Sequence, residues 1–241
     1  MPNFMILVLG ELKRMIEYNI AAASIVVALI WIGVLYLTEI EDISLIFPLL
    51  LFIDTTSMAI LMVGVTIFFE KQEGSLRAIM VSPINKTDYL FAKIVVTIFA
   101  SIITLVLLYS YAALFRSITL NFFSLLGSVI LIALFHSLIG FILSYYSKDF
   151  TTLLMNMFVY LLVFMLPTLF EHLKIVQNDL IGKLLYIAPT KAALTLLYAS
   201  SGTTGGEDLI YALIYLVIGS IILFVFTLKQ FDSFAAREGG I

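Results

Sequence analysis

Asp54 is the only carboxylate deep inside a long apolar stretch of this sequence, where it opens the polar run Asp54-Thr55-Thr56-Ser57. If that stretch crosses a bilayer, a charged side chain near its middle costs about 2.5–3.5 kcal/mol on insertion scales, so such a residue usually has a role. Asp54 either lines a path through the membrane or is a structural carboxylate that a partner satisfies at a helix contact. Residue type and position leave both interpretations open.

His136, Asn156 and Tyr160 are further polar side chains within apolar stretches. Asn156 and Tyr160 stand at positions i and i+4, which places them on one face of a helix. Each of the three could line a cavity, but each could equally form a hydrogen bond between helices, and we favour the second interpretation. His136 is also the only basis for a hypothesis of an intramembrane hydrolase.

Known catalytic and metal-binding motifs are missing from the sequence. It has no His-Glu-x-x-His, no Gly-x-Ser-x-Gly and no second intramembrane aspartate that could pair with Asp54. The Gly182-Lys183 pair lacks the rest of a P-loop, so ATP binding through that motif is excluded. With no cysteine and only two histidines, far apart in sequence, we expect neither a metal site nor a cofactor in this chain.

The composition indicates an integral membrane protein. Of 241 residues, 62% are hydrophobic and 12% are charged, whereas soluble domains are roughly half apolar and about a quarter charged. Long apolar runs favour helices over a β-barrel, whose strands alternate polar and apolar residues. The predicted fold class is therefore an all-α, polytopic membrane protein. The 13 basic and 16 acidic residues show no basic excess, so nucleic acid is not an expected partner.

Six segments are long and apolar enough to span a bilayer, which takes about 20 residues. The predicted spans are residues 20–37, 43–69, 89–115, 120–146, 150–170 and 209–228. We expect them to form a single transmembrane domain over residues 1–241, with no soluble domain.

The positions of lysine and arginine orient these spans. If the amino terminus is cytoplasmic, nine of these residues lie inside and four outside. The inner set is Lys13, Arg14, Lys71, Arg77, Lys86, Lys93, Lys148, Lys229 and Arg237. The outer set is Arg116, Lys174, Lys183 and Lys191. We therefore predict that both termini are cytoplasmic.

Two segments outside the spans have helical patterns of their own. Residues 1–18 are amphipathic, with Lys13 and Arg14 on the polar face, which predicts a helix in the inner membrane interface. The alternative is an extension of the first span. The outer loop, residues 171–208, contains a semi-apolar stretch broken by Pro189, which we interpret as short interfacial or re-entrant helices. If that stretch spanned the membrane, there would be seven spans and an outer carboxyl terminus.

The loop of residues 70–88 is the longest predicted cytoplasmic loop and carries a resemblance. From Phe69 to Ile84 it reads Phe-Glu-Lys-Gln-Glu-Gly-Ser-Leu-Arg-Ala-Ile-Met-Val-Ser-Pro-Ile. It resembles the acidic-x-x-Glu-Gly-Thr/Ser-Leu, then apolar, then Ser/Thr-Pro loop of the six-helix permease subunits of type-2 ATP-binding-cassette (ABC) exporters. Lys93 suits the same pattern, whereas Arg77-Ala78 departs from it, since family members often have an acidic residue there. The resemblance covers nearly the whole chain.

This resemblance implies roles for particular residues. It implies that the loop contains a coupling helix, which sits in a groove of a separate ATPase subunit. The residues implied in coupling are Glu70, Glu73, Gly74, Ser75, Leu76, Arg77, Ile79, Met80 and Pro83. It also implies that spans one, two and five surround the transport route. The residues implied in lining it are Asp54, Thr55, Met58, Asn156 and Tyr160.

The implied function is export by a dimer of permease subunits, formed with a second copy or a paralogous chain in the prokaryotic plasma membrane. ATP and Mg would bind the partner ATPase, and this chain would not itself be an enzyme. Drugs, including fluoroquinolone-like compounds, are one implied substrate class. Lipid, glycan, peptide or haem export stays open, because the fold does not set the substrate. A non-transport membrane sensor or assembly factor is a further alternative.

Overall fold

The computed structural model describes residues 2–37, 40–75, 84–202 and 204–239 and is 86% helical. The described residues contain no strand, which confirms the all-α prediction. Long apolar segments form helices because the hydrocarbon core of a membrane offers no water to the backbone amides and carbonyls. A helix satisfies those groups within itself.

The helices are numbered here in chain order. They are α1 (Pro2–Glu17), α2 (Ile20–Leu37), α3 (Phe47–Gln72), α4 (Lys86–Phe115), α5 (Phe122–Tyr146), α6 (Phe150–His172), α7 (Asp179–Leu185), α8 (Pro189–Tyr198) and α9 (Gly206–Gly239). A short 3-10 helix at Ile43–Leu45 precedes α3, and a π-helical stretch at Leu161–Met165 interrupts α6.

Six helices in the described part of the chain are long and apolar enough to cross a membrane, as the sequence predicted. They are α2, α3, α4, α5, α6 and α9. α3 continues to Gln72 and α4 begins at Lys86, so the loop between these helices is shorter than the predicted 70–88. The stretch around Pro189 forms the two short helices α7 and α8 rather than a seventh span. Their position in the membrane interface stays a prediction.

The two ends of the helix bundle are tied by contacts between loops. The lower end contains residues 73–75, 84–85 and 147–149, and Lys71 there donates to the carbonyl of Ser147 at 3.3 Å. The upper end contains residues 40–46, 116–121 and 173–202. At that end Ser117 donates through its amide to the carbonyl of Glu41 at 3.0 Å. Successive long helices therefore run in alternating directions between these ends.

α3 and α5 form the centre of the bundle and approach each other closely. Gly140 of α5 faces the backbone of Ile60, where an added Cβ would meet the carbonyl oxygen at 2.8 Å. α8 packs into the same core through Ala192, Ala193 and Leu197, all buried. Small residues allow such close helix approach, which compensates for the missing hydrophobic driving force in lipid.

α1 is a separate helix that packs beside the lower end of the bundle. It is separated from α2 by Tyr18 and Asn19, and Asn19 has a positive φ of 58°. Met15 is buried against α2 and α4 in a small apolar cluster. Arg14, predicted on the polar face of this helix, instead points into the protein, where it pairs with Glu70 of α3. Whether α1 lies in the membrane interface stays a prediction.

Candidate functional site

α3 ends at the lower end in a turn built on glycine. The amide of Gly74 donates to the carbonyl of Lys71 at 3.2 Å, and Gly74 has a φ of +70°. Glycine adopts this left-handed conformation without the steric cost that a side chain brings. The Glu73-Gly74 pair therefore has a local structural reason, since it turns the chain out of α3 and into the loop.

The described residues cover only the start of the predicted coupling segment. Glu73 and Gly74 are exposed at the lower end, and Ser75 is half-buried. Leu76, Arg77, Ile79, Met80 and Pro83 lie outside the described residues, so their contacts with an ATPase stay predictions.

Glu70, one turn before that glycine, is fully buried and contacts two residues of α4. Lys93 donates to Glu70 Oε1 at 2.9 Å, and the Tyr89 hydroxyl donates to Glu70 Oε2 at 2.6 Å. Lys93 is 2% exposed and Tyr89 is equally buried. The loop between α3 and α4 is therefore closed at its base by an ion pair between the two helices that it joins.

α1 contributes two more charges to the same cluster. Glu11 accepts from Lys93 at 3.0 Å and from Arg14 at 2.9 Å, and Arg14 also pairs with Glu70. Glu11 is 4% exposed. We call these residues, Glu11, Arg14, Glu70, Tyr89 and Lys93, the lower ionic cluster.

The lower ionic cluster is electrically balanced, with two carboxylates and two cations. Burying a charge without a partner is expensive, whereas a hydrogen-bonded pair repays much of that cost. The cluster thus holds α1, α3 and α4 in one arrangement, and each charge depends on the others.

Glu73 extends these contacts toward α1. Burial and the neighbouring carboxylate of Glu73 together raise the pKa of Tyr18 to about 12. The Tyr18 ring packs on Phe69 with centroids 4.5 Å apart. The junction between α1 and α2 is thereby fixed to the last turn of α3.

Asp54 has a specific partner in the upper half of α3. Its carboxylate is 3% exposed, and Oδ1 accepts from the indole Nε1 of Trp31 at 3.1 Å. Trp31 belongs to α2, so this bond joins the first two spans. Among the described residues this carboxylate has a neutral donor and no paired cation, unlike the carboxylates of the lower ionic cluster.

Comparison with known proteins identifies the family. The family model described as the fluoroquinolones export permease protein family matches residues 4–238. The chain belongs to this family. Two curated relatives, both named fluoroquinolones export permease proteins, come from Mycobacterium tuberculosis strains CDC 1551 / Oshkosh and H37Rv. Each is 26% identical over 190 residues, covering 79% of this chain and 77% of the relative. The protein is therefore a multi-pass membrane permease of an export system.

The predicted path residues of this permease lie in different surroundings. Thr55 is buried and Met58 half-buried on α3 beside Asp54. Asn156 of α6 donates to Ser147 Oγ at 3.0 Å, near the lower end. Tyr160 is buried with its ring edge-on to His136, at a centroid distance of 6.0 Å. A lining role for these residues stays a prediction.

His136 has the surroundings of a core residue. It is fully buried in α5, and its Nδ1 lies 2.9 Å from the carbonyl oxygen of Ile132 in the preceding turn. Among the described residues its Nε2 has no hydrogen-bond partner, and no group of three or more metal-ligating side chains occurs. The ring is thus enclosed like that of a packed core residue, and the hydrolase hypothesis stays untested.

Sequence reasoning missed Glu11 and Tyr89 as members of the lower ionic cluster. One signal was available for Glu11, because Glu11, Arg14 and Tyr18 stand at i, i+3 and i+7, which share one helix face. A second signal was Lys93 itself, since a lysine seven residues into a membrane helix needs a carboxylate partner.

Proposed function

We propose that this permease is the transmembrane subunit of an ABC exporter and couples export to ATP hydrolysis by a separate ATPase. The main support is the lower ionic cluster, which ties α1 and both ends of the 73–85 loop into one unit. A short loop anchored on this unit is suited to transmit a movement of a cytoplasmic partner to the helices in the membrane. Membership of the export permease family supports a role in export. Coupling to an ATPase is our proposal in addition to that role.

In this proposal the ATPase contacts the 76–83 segment and displaces it during its nucleotide cycle. Because Lys93 of α4 pairs with both Glu70 of α3 and Glu11 of α1, movement of the loop carries the three helices together. α3 also carries Asp54, so the same movement reaches the Trp31–Asp54 contact. ATP and Mg bind in the partner, and we propose no catalytic role and no cofactor for this chain.

We further propose that two permease subunits, identical or paralogous, enclose the path. In the most apolar 18-residue segments of α2 and α6, only 17% and 22% of the residues are buried. In the corresponding segment of α3 with its preceding turn, 67% are buried. A second copy is the occupant that we propose for part of this uncovered surface. The names of the relatives favour amphipathic aromatic drugs of the fluoroquinolone class as substrates.

The proposed orientation in the plasma membrane, with both termini cytoplasmic, predicts a labelling pattern. The natural chain has no cysteine, so single cysteines report single positions. Glu73→Cys at the lower end should resist a membrane-impermeant maleimide in intact cells and react in inverted vesicles. Lys174→Cys at the upper end should show the reverse.

Removal of peripheral proteins from the vesicles by urea should speed labelling of Glu73→Cys several-fold, because the ATPase no longer covers the loop.

Labelling of Glu73→Cys in intact cells would overturn both the orientation and the coupling proposal. Identical rates before and after urea washing would overturn the docking of an ATPase on this loop.

Asp54→Asn should lower fluoroquinolone export several-fold without changing folding or assembly. The asparagine Oδ1 can still accept from Trp31 Nε1, so the contact between α2 and α3 survives while the negative charge is lost. The measurement is drug accumulation in cells that produce the permease with its ATPase, corrected for permease abundance. Asp42→Asn is the matched control, because Asp42 is an exposed carboxylate that accepts from the amide of Ser44 at 3.0 Å.

We expect Asp42→Asn to export like the natural protein. If Asp54→Asn did the same, Asp54 would have a purely structural role. If the natural permease did not change fluoroquinolone accumulation at all, the proposed drug class would be wrong.

A further inference from the structure

A large polar cavity opens at the upper end of the bundle, opposite the lower ionic cluster. It measures about 900 Å³ and lies between the last turn of α6, the following loop, α7 and the start of α8. The described side chains that line it include Lys174, Lys183 and Lys191 but only one carboxylate, Glu171. Glu171 pairs with Lys191. The described lining therefore has a positive excess, to which Lys174 and Lys183 contribute.

α7 presents two different faces beside this cavity. Gly182, Lys183 and Tyr186 line the cavity. Leu180 and Leu184 lie on another face at i and i+4 and are 65% and 57% exposed. An exposed apolar face next to lysines is the arrangement with which helices lie at the surface of an anionic membrane. The cavity therefore adjoins a surface suited to lipid.

An apolar groove of about 400 Å³ lies between α5 and α9. Its lining residues include Phe135, Ile214, Ile218, Gly219 and Ile222. At Gly219 an added Cβ would meet the Phe135 ring at 2.7 Å, so the absence of a side chain keeps the two helices close there. Apart from two tyrosines, the described lining is apolar, which suits an acyl chain.

Two tyrosines connect the groove with the polar cavity. Tyr186 lines the cavity, Tyr211 lines the groove, and their rings pack at 5.3 Å between centroids. The hydroxyl of Tyr211 donates to the carbonyl of Tyr186, and Tyr215 donates to the carbonyl of Ile187 at 2.6 Å. Tyr186 also donates to Asp208 at 3.1 Å, which adds one carboxylate near the boundary. The polar and apolar sites are thus adjacent.

We propose that the cavity and the groove together bind one anionic phospholipid, with its phosphate near Lys174 and Lys183 and an acyl chain between α5 and α9. Lysine ammonium groups attract the phosphate. The groove gives one acyl chain of the lipid contacts with the protein in place of contacts with other lipids. A free phosphate would use only the cavity, and a carboxylate drug would not need the groove. The proposal is independent of the substrate of the exporter.

The headgroup part of the site is tested with purified permease in nanodiscs that contain phosphatidylcholine and a minor fraction of phosphatidylglycerol. Native mass spectrometry after gentle release should detect one retained phosphatidylglycerol per chain. Lys174→Gln combined with Lys183→Gln should lower this retention at least fivefold, because each lysine near a phosphate contributes to lipid affinity. Lys148→Gln combined with Lys229→Gln removes two exposed lysines elsewhere and should leave retention unchanged.

The groove part is tested on α9 with a matched pair. Ile218→Trp fills the groove and should lower retention, whereas Ile221→Trp, on an exposed residue outside its lining, should not. An excess of inorganic phosphate or of a fluoroquinolone should fail to displace the lipid.

Several outcomes would overturn the proposal. They are equal retention of phosphatidylcholine, equal loss in both lysine pairs, or equal retention in both tryptophan variants. Displacement by phosphate alone would reduce the site to an anion site, and displacement by the drug would assign it to the transport route. Thermal unfolding of every variant in detergent separates lost binding from lost folding.

Discussion

Lys93→Met is expected to destabilise the permease by about 3–5 kcal/mol, the cost of removing one partner from a buried ion pair. Lys93 of α4 contacts both Glu11 and Glu70, at 3.0 and 2.9 Å. Without it, Arg14 is left facing two buried carboxylates. Methionine fills a similar volume, so the lost charge rather than a cavity causes the effect. The measurement is unfolding of the purified protein in mixed detergent micelles.

Lys86→Met is the matched control, seven residues earlier on the same helix. Lys86 pairs with Asp232 at 2.7 Å, but both side chains are exposed. Exposed ion pairs contribute about 0–1 kcal/mol, so this variant should unfold close to the natural protein. If Lys93→Met behaved like Lys86→Met, the lower ionic cluster would not stabilise the fold.

A double substitution separates charge balance from packing. Lys93→Met with Glu70→Gln leaves Glu11 and Arg14 as a neutral pair at 2.9 Å. This double variant should be more stable than Lys93→Met alone, because no excess negative charge stays buried. If both variants were equally unstable, packing of the lysine chain would be the dominant contribution.

The number and placement of the spans could be predicted from the sequence because both follow from apolar length. The predicted first span, residues 20–37, coincides with α2. Ends set by capping were less predictable. α4 begins at Lys86, three residues ahead of the start predicted for this span at residue 89, and Asn85 before it forms no side-chain cap bond. Here the ion pair of Lys86 with Asp232 of α9 favours the extra turn.

The lower ionic cluster could be predicted only in part. Glu70 and Lys93 were singled out only as parts of the loop pattern that resembles ABC exporter permeases, and their pairing was not predicted. Their partners on α1 are 56 and 82 residues distant in sequence, and only tertiary packing brings them together. Arg14 was assigned to the polar face for the same reason, since a single helix gives no indication of which neighbour it meets.

The partner of Asp54 could not be predicted from the sequence either. Its position marked it as costly, but its partner Trp31 is 23 residues away on another helix. The sequence therefore indicated that a partner or a function must exist, and the structure supplies the partner. The bond to Trp31 and a role in transport are compatible, because a neutral donor leaves the charge of Asp54 in place.

Gly140→Leu should destabilise the permease by about 3 kcal/mol, at the upper end of the usual cost of overpacking. Gly140 faces Ile60 at the crossing of α3 and α5, and its added Cβ would meet backbone atoms at 2.8 and 3.1 Å. Backbone cannot rotate away as a side chain does, so the two central helices must separate. That separation would also disturb α3 between Asp54 and Glu70, which predicts a loss of export together with the loss of stability.

Gly127→Leu is the control for this substitution, because Gly127 is exposed on the same helix and an added Cβ meets nothing within 4 Å. Leucine has the higher helix propensity, so this variant should be neutral or up to about 1 kcal/mol more stable. The difference between the free energies of unfolding of the two variants in the same detergent gives the cost of the steric clash at Gly140. Equal stability of the two would mean that α3 and α5 can separate without cost, and the close crossing would then not be needed to connect the ends of the bundle.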